Sequence, residues 1–169
     1  MRNLTKCFLI AAMVLIAAYS LTAAQEAKWF DMENCGFCKA LMTPPDMLEH
    51  ATWEHHNIAN GIVSVTTVDK EYIGPWRAAE AKMEETGKKM EKGEQVGMCN
   101  ACMGISSLMM KGAKWESVQT THGSVAMMTS SDAEVVKEIQ AWGKKTMDEM
   151  AKMEMEHKHD HEKKTKEKG

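Results

Sequence analysis

The sequence predicts an α+β fold made by internal duplication: two α-β-β-α units whose hairpins form one four-stranded antiparallel sheet packed by helices. Three observations carry this. First, "WEHHNIANGIVSVTT" from Trp53 lies without a gap over "WESVQTTHGSVAMMT" from Trp115. Trp53/Trp115, Glu54/Glu116, Gly61/Gly123, Val63/Val125 and Thr67/Thr129 coincide, five matches in fifteen columns where average composition gives roughly one. Second, a C-x-x-C pair lies upstream in both halves, Cys35/Cys38 and Cys99/Cys102, and a tryptophan lies downstream in both, Trp76 and Trp142. Third, each half passes from a strand-like pattern to an amphipathic helical one.

The chain opens on a predicted secretory signal. Arg2 and Lys6 flank the start of the charge-free apolar run Cys7 to Ala18, which is shorter than the about 20 residues a bilayer span needs. Thr22 and Ala24 stand where a signal peptidase requires small residues, so residues 1–24 read as a signal peptide and the mature chain starts near Gln25, without Cys7. The expected location is a periplasm or the cell exterior. No second long apolar run follows, so no membrane span is expected after cleavage. Residues 25–156 read as a single duplicated domain, with repeat one at about 29–92 and repeat two at about 93–156.

Each C-x-x-C leads into a short helical segment, Lys39 to about Met42 and Met103 to Lys111; Pro44-Pro45 stops the first. The first hairpin is expected at Trp53 to Ile58 and Ile62 to Val68, the latter rich in Val and Thr. Asn60-Gly61 suits the φ > 0 geometry of a tight turn, and His122-Gly123 fills the same columns in the second half. A longer helix closes each unit, from about Trp76 to Lys92 and again after Ser131-Asp132, an N-cap. In the second, Val135, Val136, Ile139, Trp142, Met147 and Met150 make one apolar stripe. Residues 157–169, rich in Lys and His, read as a disordered tail.

Composition narrows the function. Net charge is −3 with acids and bases interspersed, which argues against a nucleic-acid partner. There is no G-x-S-x-G, H-E-x-x-H or glycine-rich phosphate loop, so conventional enzyme classes lack support. Methionine, at 17 residues, is far above ordinary usage. Met83, Met90, Met147, Met150 and Met153 lie near core spacing on the long helices, where a flexible hydrophobe fills space. Met109-Met110 and Met127-Met128 are adjacent pairs, so one member of each is expected at the surface.

Three readings compete for the four remaining cysteines. As structural disulfides they would favour pairing across the repeats, because closing a four-residue loop stabilises by about 2 kcal/mol and a link between the halves by about 4 kcal/mol. As a redox couple, Cys35 would be the more exposed attacking thiol and Cys38 the resolving one. "WFDMENCGFCKAL" resembles the active-site region of thioredoxin-like proteins, in which an aromatic pair precedes C-G-x-C-K at a helix N-terminus. That resemblance implies a lowered Cys35 pKa and a periplasmic thiol–disulfide exchange partner.

The third and leading reading is a soft-metal site. Two cysteines at i, i+3 converge on one ion, so Cys35, Cys38, Cys99 and Cys102 can meet as a four-thiolate zinc site, or each pair can hold one Cu(I). The order C-x-x-C, helix, "GIVSVTTV" hairpin, helix also resembles the heavy-metal-associated domain of copper chaperones. That resemblance implies a partner among metal-handling proteins. Met32 and Met98 are auxiliary thioether candidates beside the two motifs. His157, His159 and His161 form an H-x-H-x-H run able to chelate Cu(II), Ni(II) or Zn(II). His55, His56 and His122 lie near the hairpins as outer or surface residues.

Overall fold

The structure, a computed structural model, describes residues 28–166, with side chains through residue 155. The signal peptide read at residues 1–24 lies outside the described residues. Four strands, β1 (Ala51–Ile58), β2 (Gly61–Val68), β3 (Lys114–Thr120) and β4 (Gly123–Thr129), form one antiparallel sheet in the order β1-β2-β4-β3. Three helices pack on it: α1 (Ile73–Glu91), α2 (Asn100–Met110) and α3 (Ala133–Lys166). Short 3₁₀ turns at Cys38–Met42, Met47–His50 and Lys70–Tyr72 complete the described residues.

The sheet register displays the duplication. Trp53 faces Thr66 and Trp115 faces Met128, so both hairpins are paired in the same register once the second is shifted by the 62 residues that separate Trp53 from Trp115. β2 and β4 pair Gly61 with Thr129 and Thr67 with Gly123, which puts a pseudo-twofold axis through the Ser64–Ala126 pair. Hydrogen bonds outside the ladders obey the same symmetry: Ser130 N donates to Asn60 O at 2.9 Å and Val68 N to His122 O at 2.8 Å.

One face of the sheet makes the core. Ile62, Ser64, Thr66 and Val68 alternate inward along β2 and are buried, whereas Val63 and Val65 are half-buried and Thr67 is exposed. Ile62 and Met128 pack with Leu108 of α2 and with Val135, Ile139 and Trp142 of α3. Val68 packs with Met47, Trp76 and Ala79, and the Trp53 and Trp76 rings meet edge-on at 5.1 Å. The capping residue of α3 is Asp132, whose Oδ1 accepts from Glu134 N at 2.8 Å and Val135 N at 3.3 Å, as its sequence requires.

Several local expectations are corrected. The hairpin turns are at residues 59–60 and 121–122; Gly61 and Gly123 are already the first residues of β2 and β4, paired with Ile58 and Thr120. Both glycines keep the positive φ expected of the turn, 155° and 143°. Close strand approach adds to their glycine requirement: a Cβ at Gly61 would lie 1.9 Å from Met128 O, and one at Gly123 2.1 Å from Thr66 O. The helix after the second C-x-x-C starts at Asn100, ahead of Met103, while its counterpart is only a 3₁₀ turn. In that turn Thr43 must be extended before Pro44, and its φ of −132° and ψ of 103° end the helical run. Among the described residues, Met47 and Met128 are the methionines fully removed from solvent; Met83, Met90, Met147 and Met150 on the long helices are half-buried, and Met153 and Met155 are exposed. Met127 is exposed opposite buried Met128, but both Met109 and Met110 face solvent. The backbone stays helical through Lys166, past His157 where composition suggested disorder. Met, Glu and Lys are good helix formers, and neither Gly nor Pro interrupts residues 144–166.

Because the two close approaches are symmetry mates, Gly61→Ala and Gly123→Ala are expected to destabilise the fold by similar amounts, about 2–3 kcal/mol each. Urea unfolding of the two variants checks this; a loss at one site only would contradict the equivalence of the halves.

Candidate metal centre

Cys35 sits at the end of a turn organised by Asp31. The Asp31 carboxylate accepts from Asn34 N at 3.0 Å, from Asn34 Nδ2 at 3.1 and 3.0 Å, and from Glu33 N at 3.3 Å. These bonds, those of Asn34 first, hold its carboxyl below the usual carboxylate range. Cys35 N donates to Asp31 O at 3.0 Å, and the chain then enters the 3₁₀ turn that carries Cys38. The Cys38 amide lies 3.5 Å from Cys35 Sγ, a donor aimed at the sulfur.

Cys99 is the residue immediately before α2, and Cys102 is in its first turn. A helix N-terminus leaves backbone amides without internal partners. Two of these are satisfied by the segment that precedes the first motif: Asn100 N donates to Lys28 O at 3.2 Å and Ala101 N to Trp29 O at 3.0 Å. In return Gly36 N, inside the first motif, donates to Gly97 O at 2.8 Å. Each motif is therefore anchored by backbone flanking the other. Trp142 of α3 fixes α2 from behind, with Nε1 donating to Ala101 O at 3.1 Å and its ring lying where a Cβ on Gly104 would stand.

This scaffold gathers all four sulfurs, Cys35, Cys38, Cys99 and Cys102, within 4.8 Å of one another. Cys35 Sγ and Cys102 Sγ are 3.5 Å apart, Cys38 and Cys99 also 3.5 Å, and Cys38 and Cys102 3.7 Å. Those separations are far beyond a disulfide bond of about 2.05 Å. They are close to the about 3.8 Å edge of a tetrahedron whose centre is about 2.3 Å from each thiolate, as in a zinc site. The cluster is close enough to ligate one metal ion. Trp29, Phe30, Met32 and Phe37 pack around it, and Lys145 Nζ lies 4.6 Å from the Trp29 ring centre.

Crowding sets the protonation of the sulfurs. Sulfur contacts from Cys102 and Cys38 hold the Cys99 thiol far below its ordinary pKa. Contacts with Cys38 and Cys99, then burial, push Cys102 far up. For Cys38 the Cys102 contact favours the thiolate, but the contact with Cys99 and burial outweigh it and the thiol is raised. Four thiolates at these distances cannot ionise together in a buried space without a cation to offset their charge.

The structure thus brings together the four cysteines singled out from sequence and adds Met32 at their rim. Met98, next to Cys99, is half-buried but is not among the residues packed on the cluster. His157, His159 and His161 lie beyond the residues whose side chains are described. His55, His56 and His122 are outside the cluster: His55 Nδ1 is 2.7 Å from Ser64 Oγ, His56 Nε2 pairs with Glu54 at 2.9 Å, and His122 is exposed. The expectation that Cys35 is the more exposed thiol is overturned. Cys35 is 1% exposed, and Cys102 is the half-exposed member of the four. Gly36, Val96 and Trp142 were not singled out for the site; the glycine between the first two cysteines was the available signal. No protein-family model, curated protein or solved structure matches the chain.

A Cβ on Gly36 would lie 2.3 Å from Val96 Cγ1, so Gly36→Ala is expected to push the two motif loops apart and lower metal affinity at least tenfold, about 1.4 kcal/mol. Adding Val96→Ala removes the opposing atom and should restore most of it. Competition against a metal-chelating dye measures both variants.

Proposed function

We propose that this is an exported metal-binding protein holding a single soft cation, Zn(II) ahead of Cu(I), on Cys35, Cys38, Cys99 and Cys102. The observation that carries the reading is the convergence of both C-x-x-C motifs on one point, with sulfur separations near the edges of a tetrahedron. Closed sets of four thiolates are the ordinary setting of tightly held structural zinc. Such a cation would bind residues 28–38 to the start of α2, and its binding free energy would become folding free energy. Cu(I) is favoured as the second choice by Met32, a thioether residue packed against the cysteine cluster. The H-x-H-x-H run of the C-terminal segment would serve as a recruiting element, and the partner would be another metal-handling or redox protein of the same compartment.

Thiol–disulfide exchange is the less favoured reading. Its attacking thiol must meet a partner disulfide, and Cys35 and Cys38 are 1% and 6% exposed.

A shared site and two independent sites differ in stoichiometry. Native mass spectrometry of the mature protein, isolated from its export compartment without chelator or reductant, should find one zinc per chain, lost on denaturation. Cys38→Ser and Cys99→Ser should each abolish the whole occupancy; half-occupancy in either would show two separate sites. Zinc uptake by the reduced apoprotein should also release at least two protons, since Cys38 and Cys102 keep theirs until a cation arrives. Calorimetry in buffers of different ionisation enthalpy reads that number, and affinity should rise with pH.

A further inference from the structure

We infer that the four-sulfur centre is regulated by oxidation: an external disulfide converts it into two cross-repeat disulfides, Cys35–Cys102 and Cys38–Cys99, and expels the cation. This inference rests on the metal reading above and adds its control. Cys35 to Cys102 and Cys38 to Cys99 are each 3.5 Å apart between sulfurs, closer than Cys38 to Cys102 at 3.7 Å. Together they use each sulfur once, and both join one half of the protein to the other. The resulting links span 67 and 61 residues, which constrains the unfolded chain far more than closing either four-residue motif on itself. The geometry that suits a tetrahedron therefore also holds the cross-repeat partners within reach of one another.

Access orders the steps. Cys35, Cys38 and Cys99 are 1%, 6% and 3% exposed, while Cys102 is half-exposed. The Cys102 thiolate attacks a disulfide R–S–S–R, breaking its S–S bond, forming a mixed disulfide with one half and releasing the other as a thiolate. Cys35 Sγ, 3.5 Å away, then attacks the Cys102 sulfur, forming Cys35–Cys102 and releasing the second thiolate. Two electrons have passed from the cysteine pair to the reagent. The Cys38–Cys99 pair is oxidised through the same half-exposed sulfur. Cys38 Sγ, 3.7 Å from Cys102, attacks the mixed disulfide formed with one equivalent and releases its reagent thiolate. Cys99 Sγ then displaces Cys102 from Cys38, and the freed Cys102 thiolate takes the other equivalent. Four cysteine thiolates become two disulfides, two reagent disulfides become four thiolates, and the cation leaves with its charge unchanged. The outcome is metal release coupled to oxidation, with the two halves still joined.

Oxidised glutathione added to the zinc-loaded full mature chain tests this, with zinc content measured first by native mass spectrometry. Release is followed with a chromogenic chelator, and samples are blocked with N-ethylmaleimide and digested with trypsin without reduction. Trypsin cuts after Lys28, Lys39, Lys92 and Lys111, so both cysteines of each motif stay together in peptides 29–39 and 93–111. The expected result is one zinc released per chain as two equivalents of oxidant are consumed, with the two peptides recovered as one covalently linked species. Two separate peptides, each closed by its own disulfide, would overturn the inference. Linked peptides with zinc still bound would overturn it as well. A starting protein that holds no zinc or copper would overturn the metal reading itself, and the regulation with it.

Discussion

The antiparallel pairing of β2 with β4 about Ser64 and Ala126 is the contact on which the rest of the structure depends. It is the seam that turns two hairpins into one sheet, and an isolated two-stranded hairpin is marginal in water. Its register decides which residues face inward, because a slip of one position would exchange Ile62 and Met128 for Val63 and Met127. The glycines at 61 and 123 allow the seam to close, each admitting a carbonyl of the opposing strand. The helices then cover a face that the seam has already made continuous.

The four-cysteine centre lies outside that symmetry. Its backbone ties run between Lys28, Trp29 and Gly36 on one side and Gly97, Asn100 and Ala101 on the other, all away from the sheet. The two motifs also occupy different structures, a 3₁₀ turn stopped by prolines and a helix N-terminus. Equivalent motifs thus contribute their sulfurs in unequal environments: both cysteines of the first are buried, whereas the second pairs buried Cys99 with half-exposed Cys102. Trp142 couples this asymmetric corner to the core, since one face of its indole contributes to the apolar cluster and its N–H holds the Ala101 carbonyl.

Much of the fold was legible because its signals are local. The hairpins followed from alternating Val and Thr, the cap of α3 from Asp132, and the buried positions Val135, Ile139 and Trp142 from helical spacing. Errors arose where a local signal had a distant cause. Gly61 has the positive φ that its turn signal implies, but the approach of β4, which also excludes a side chain there, leaves no local signal. The four ligand candidates were legible as residue types, but their meeting was not. Cys38 and Cys99 are far apart in the chain, and only the 3.5 Å gap between their sulfurs distinguishes a shared centre from two separate ones. The order of thiol exposure was likewise hidden, because it depends on the aromatic residues packed around Cys35.

The distance in sequence between the two motifs has a consequence for how the protein is made. Synthesis delivers "CGFC" long before "CNAC", and a chain ending anywhere before Cys99 offers a cation only two sulfurs. During that interval the first motif has neither α2 to dock against nor Gly97 to accept its backbone hydrogen bond. Formation of the centre is thus a late event in folding, coming after the second half has emerged. Until then, protection of the early thiols falls to the surroundings of the nascent chain.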